Sequence, residues 1–142
     1  MKRRTMLRAL AAAPLGMESS IDDFRGREDN DRDFHLRLAK ASGNGSLELV
    51  VEGLWAQRAE LWGRMQKHFH TPELARQTIR DHTAIVKAIA AHDAKGARAA
   101  MRRHLARVVH EFERGLEGAA QAQKTTERSP ARRGKRALLP AA

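Results

Sequence analysis

The chain has no cysteine and no tyrosine among its 142 residues, and only four phenylalanines and two tryptophans. The missing cysteine removes disulfides, thiolate zinc sites and thiol nucleophiles. The scarcity of aromatic residues, beside abundant Ala, Leu and Arg, suits helices better than sheets. No apolar run approaches the roughly 18 residues needed to span a bilayer. No segment alternates with the period of a strand, and no repeat recurs at a fixed spacing. What is present is 42% apolar and 31% charged, the balance of one globular domain rather than a disordered chain.

The net charge of +10 belongs mainly to the two ends. Residues 1–10 carry four basic groups and no acid, and residues 124–142 carry six against Glu127. The intervening 11–123 hold 17 basic and 16 acidic groups, so the folded part is nearly neutral. Basic ends of this kind hold phosphate without reading sequence, or are simply solvated. At the N-terminus Arg3-Arg4, followed by Ala9-Leu10-Ala11-Ala12-Ala13, has the outline of a twin-arginine export signal. Pro14 and Gly16 cut that apolar stretch short, and Glu18, Asp22 and Asp23 follow at once. An amphipathic helix end and a cytoplasmic location are therefore expected.

From residue 28 onward the periodicity is helical. Asp31, Phe34, His35, Leu38 and Ala39 share one face of a helix that stops near Ser42-Gly43-Asn44-Gly45. Ser46 is the expected cap of the next helix, whose apolar stripe runs through Leu47, Val50, Val51, Leu54, Leu61, Trp62, Met65 and Phe69. Thr71-Pro72 starts a third helix, lined by Thr78, His82, Ile85, Val86 and Ile89. Asp93 caps a fourth, with Ala97, Met101, His104, Leu105, Val108, Phe112 and Leu116 as its stripe. The apolar period fades after about Gly118. These readings predict an all-α antiparallel helical bundle over 17–118, an N-terminal segment over 1–16 and a basic disordered tail over 119–142.

Seven histidines are present, and position separates them. His68, His70 and His92 lie at helix ends or turns, and His110, six residues after His104, points away from it. His35, His82 and His104 lie within apolar stripes, and Asp31 precedes His35 by one turn. An inward carboxylate with three inward imidazoles is costly unless it is paired or bound to a cation. One solution is a set of core hydrogen bonds, with Asp31 paired to His35 or an arginine. The other is a divalent metal ion of the zinc, nickel or manganese class, for which these four groups supply four ligands. Arg58 and Arg64 on the long helix are candidate contacts for an acid ligand, and Asn44 is a weaker one.

The run Asp31-Arg32-Asp33-Phe34-His35-Leu36-Arg37-Leu38-Ala39, followed by Ala41-Ser42-Gly43-Asn44, resembles the D-x-x-F-H-x-x-L-A-x-A-S-G-N signature of the FCD domain. That domain is the effector-binding C-terminal part of FadR-type GntR transcriptional regulators. The resemblance continues through Asp81-His82, Ile85-Val86, His92-Asp93, Ala97-Arg98 and His104-Leu105, and covers roughly residues 17–117. It implies that Asp31, His35, His82 and His104 hold a divalent metal, which grips a small carboxylate effector. It also implies a homodimer that controls DNA binding. Leu54-Trp55-Ala56-Gln57-Arg58 is similar to the hexuronate-responsive branch. The family places a winged helix-turn-helix ahead of this domain. Only 30 residues precede Asp31 here, so a sensor domain with its first helices missing or clipped is expected.

Two other function classes compete. A metal-dependent enzyme would use open positions on the same ion to activate water; no inward acid stands out as its general base. A nucleic-acid or protein interaction module would work through the basic ends, but the helices lack a basic stripe with interleaved aromatics.

Overall fold

The computed structural model describes Leu10, Gly16, Glu18, Ser19, residues 22–69 and residues 71–128, with the side chains of 59–67 and 126–128 outside that description. Four helices make up the described bundle: α1 (Phe24–Ala41), α2 (Gly45–Phe69), α3 (Pro72–Ala90) and α4 (Ala94–Arg128). No strand occurs among the described residues, so the all-α expectation holds.

Each boundary has a local cause. Asp23, in an extended conformation, accepts from the Arg25 amide and starts α1 four residues before the apolar period becomes visible. Gly43 takes φ +71 between α1 and α2, a left-handed conformation that glycine adopts without a Cβ penalty. Asn44, not Ser46, caps α2: its Oδ1 accepts from the Leu47 amide at 3.2 Å. Thr71 caps α3 through a bond from the Leu74 amide, with Pro72 in the first turn. Asp93 caps α4 by accepting from the Gly96 amide at 2.8 Å. The last helix runs to Arg128, ten residues past the fading of its apolar stripe. Residues 119–128 are thus helical rather than irregular, and Ala119, Ala120, Gln121, Ala122 and Gln123 are good helix formers that need no buried face. The rest of the expected tail, 129–142, and most of 1–16 lie outside the described residues.

Helix α1 packs on α2, α3 on α4, and α2 also meets α4. The buried apolar cluster joins Phe34 of α1, Ile85 of α3 and Ala100 of α4 with Leu10, and Leu38, Val86, Ile89 and Met101 pack around it. The stripe of α2 departs from expectation. Leu47, Val50 and Leu54 are exposed, as are Leu105 and Leu116 of α4. Among the described residues nothing covers that side of α2, so a periodic apolar face is left open.

Candidate metal centre

Three helices bring four sequence-predicted groups together at the centre of the bundle. Asp31 and His35 stand one turn apart on α1, His82 comes from α3 and His104 from α4. One ring nitrogen from each of His35, His82 and His104 lies within 4.8 Å of the others. Ring centroids are 4.9 Å apart for His82 and His104, and 5.2 and 5.3 Å from His35 to each of these. Phe34 stacks on His82 at 3.8 Å and closes its other face. Asp31 Oδ1 approaches His82 Nε2 at 3.3 Å and His35 Nε2 at 3.5 Å. Neither approach to Oδ1 has hydrogen-bonding geometry, and both His82 nitrogens and Asp31 Oδ1 are buried with no hydrogen-bond partner.

The electrostatics give these groups the protonation states of metal ligands. Burial pushes the His82 pKa down to about 3, and the neighbouring rings of His35 and His104 push the same way against Asp31. Burial lowers His104 as well. For Asp31, burial works to raise the pKa, but a hydrogen-bonding contribution from His35 and the charges of His82 and Arg58 outweigh it. The carboxyl is held well below its usual range. Two neutral imidazoles and an ionised carboxylate, with orphaned lone pairs at the centre, are a donor set that a divalent cation satisfies. The residues therefore fit such an ion.

A supporting layer lies behind His104. Its Nδ1 is 3.3 Å from Asp81 Oδ2. Arg107 donates from Nε to that oxygen at 2.7 Å and from Nη2 to Thr78 Oγ1 at 3.1 Å, and Gln77 donates to Asp81 Oδ1 at 3.0 Å. A proton on Nδ1 for this contact leaves Nε2 as the bare nitrogen. Burial works to raise the Asp81 pKa, but the hydrogen bonds from Arg107 and Gln77 hold it low, so the acceptor is ionised. Sequence reasoning did not select Asp81 or Arg107. The available signals were spacings: Gln77 to Asp81 at i,i+4 and His104 to Arg107 at i,i+3.

The other candidates are dispersed. Arg58 lies in the centre, with Nη1 3.0 Å from Glu28 and Nη2 3.3 Å from Asp31 Oδ2, and its guanidinium stacks 4.0 Å above the Trp55 ring. Asn44 is exposed and occupied as the α2 cap. The Arg64 side chain and His70 lie outside the described residues. His110 and His92 are exposed, and His68 pairs with Glu111 at 3.2 Å.

Two cavities meet at Asp31, Arg58 and His104. The smaller, about 60 Å³, is bordered by Arg27, Thr78, Arg107 and Glu111. The larger, about 730 Å³, is an apolar groove between α2 and α4, walled by Leu47, Val51, Leu54, Trp55, Met101 and Leu105.

A helical bundle holding three histidines and an acid at its centre is the architecture of a ligand-binding domain. The sequence profile of the FCD domain matches residues 2–107, and the chain belongs to that family. It is 32% identical over 77 residues to the Exu regulon transcriptional regulator of Escherichia coli (strain K12), covering 53% of this chain and 30% of the relative. It is 35% identical over 80 residues to the Uxu operon regulator of Haemophilus influenzae, covering 55% of this chain and 30% of the relative. The match thus spans under a third of the length of these curated relatives. No solved structure matches the chain. No helix among the described residues is long and apolar enough to cross a membrane.

Proposed function

We propose that this chain is the effector-sensing domain of a GntR-family transcriptional regulator. It holds a divalent metal of the zinc, nickel or manganese class on Asp31, His35, His82 and His104, and a small organic acid, of the sugar-acid type, beside it. One observation carries the reading. Both His82 nitrogens and Asp31 Oδ1 are buried without hydrogen-bond partners, facing two further histidines. Core histidines satisfied by hydrogen bonds would not leave these atoms orphaned.

A bound cation would supply a Lewis-acidic anchor for a carboxylate. The chain's own residues do the rest. Arg58 holds Asp31 Oδ2 and leaves Oδ1 facing the rings. Asp81, braced by Arg107 and Gln77, orients His104. Because the four groups come from α1, α3 and α4, occupancy of the centre ties together three helices and favours one packing over others. In a cytoplasmic homodimer joined to a winged-helix segment, that packing bias would alter DNA affinity. The relatives are named as regulators, which favours a sensor over an enzyme.

The test is metal content. The purified chain, reconstituted and dialysed, should hold about one equivalent of a divalent metal, and chelation should lower its melting temperature. His82→Ala and His104→Ala should each weaken binding, whereas His92→Ala and His110→Ala should not. Negligible metal after reconstitution, or equal losses from His110→Ala and His104→Ala, would overturn the reading.

A further inference from the structure

Arg27 is the one buried arginine among the described residues, 5% exposed. Its Nη1 donates to the Thr71 carbonyl at 3.2 Å, while Nε and Nη2 are buried with no hydrogen-bond partner. A guanidinium stays protonated in proteins, so this is a buried cation with half its donors unused. The other two arginines bordering the smaller cavity are engaged: Arg58 with Glu28 and Asp31, and Arg107 with Asp81 and Thr78. The two idle nitrogens of Arg27 form one edge of the guanidinium fork. That edge matches the two oxygens of a carboxylate.

Arg27 precedes Asp31 by four residues on α1, and both border the small cavity together with His104. They therefore share a helix face, offset by a rise of about 6 Å. That offset is close to the separation of the two carboxyl carbons in an extended six-carbon diacid. We infer that Arg27 anchors the second carboxylate of the ligand, so that this domain selects acids carrying a carboxylate at both ends of a short chain. The inference rests on the proposed metal-and-acid reading. It adds that the far end of the ligand is also anionic.

D-Glucarate and D-gluconate separate the possibilities, because both are acyclic, hydroxylated six-carbon acids differing at one terminal carbon. In calorimetric titrations of the metal-loaded full chain, glucarate should bind about ten- to a hundredfold more tightly than gluconate. Arg27→Gln should bring that ratio close to one while leaving metal stoichiometry unchanged. Arg27→Lys, which keeps the charge and loses the fork, should give an intermediate ratio. Equal affinities in the unmodified chain would overturn the inference and leave the metal-and-acid reading standing. A preference that survives in Arg27→Gln would overturn it too. If neither acid binds the metal-loaded chain, the underlying reading falls and takes this inference with it. The comparison of the two acids on the unmodified chain holds even where a variant fails to fold.

Discussion

At the scale of single residues, the decisive cost is that of burying His82. Its ring is fully enclosed between Phe34 and two other imidazoles, and burial holds its pKa near 3. A histidine whose folded pKa lies below its unfolded value takes up its proton more readily in the unfolded chain. Its contribution to stability is complete above the unfolded pKa of about 6.5 and is lost as the pH falls toward the folded value. His104 is shifted in the same direction, and the depressed pKa of Asp31 adds a further loss below about pH 4. The metal-free chain should therefore lose up to about 1.4 kcal/mol per pH unit for each buried histidine below pH 6. Chemical denaturation with chelator present, at pH 7.5 and 5.5, checks this, and a flat midpoint across that range would contradict it. Asp81 makes a second prediction. Asp81→Asn keeps the shape but loses the charge that orients His104, and should weaken metal binding about 10- to 100-fold with little change in metal-free melting. The helical face analysis reached Asp31, His35, His82 and His104 because inward polar residues stand out against an apolar stripe. It passed over Asp81, Arg107 and Arg27, since a charge at the edge of a stripe has the pattern of a solvated one. Their engagement depends on how far the side chain reaches, which periodicity does not encode.

At the scale of elements, the caps at Thr71 and Asp93 were legible because each sits one step before a helical run with its signature residue. Asn44 and Ser46 offered two equally good caps for α2, and only the backbone geometry chose Asn44. The end of α3 carries a feature invisible to pattern reading. The amide of Asp93 bonds to Ala88 O at 2.9 Å and that of His92 to Ile89 O at 3.0 Å, which places His92 at φ 56 in the left-handed position that glycine prefers. A non-glycine residue there carries a steric cost of about 1 kcal/mol. His92→Gly should therefore stabilise the chain by roughly 0.5–1 kcal/mol, read as a raised melting temperature with unchanged metal content. A lower melting temperature would show that the His92 ring makes a contribution larger than its backbone strain. In the next residue Asp93→Ala should act in the opposite direction, costing about 1 kcal/mol through loss of the Gly96 amide's acceptor.

At the scale of the whole molecule, the apolar residues outnumber the partners available to them. Leu49, Val50 and Leu54 of α2 are 71%, 57% and 61% exposed, and Leu105, Val109 and Leu116 of α4 are about half exposed. Several of these residues rim or wall the 730 Å³ groove, so the exposure is contiguous rather than scattered. The sequence made the stripe visible, but a 3.6-residue period says only that a face is apolar, not whether its cover comes from the same chain or another. A surface of this kind is satisfied most simply by a second copy in a two-fold arrangement, where each chain presents the same patch to its partner. Sedimentation at micromolar concentration should therefore give a dimer. Val50→Lys combined with Leu54→Lys should shift it toward monomer, because two charges would then have to be desolvated on each side of the interface. Both residues lie on the outer part of α2, away from Asp31, His35, His82 and His104, so metal stoichiometry should be unchanged in the double variant. A compact monomer for the unmodified chain would mean that the open face of α2 is tolerated without a partner copy. A double variant that loses both dimer and metal would mean that the packing of α2 and the integrity of the centre are one property rather than two.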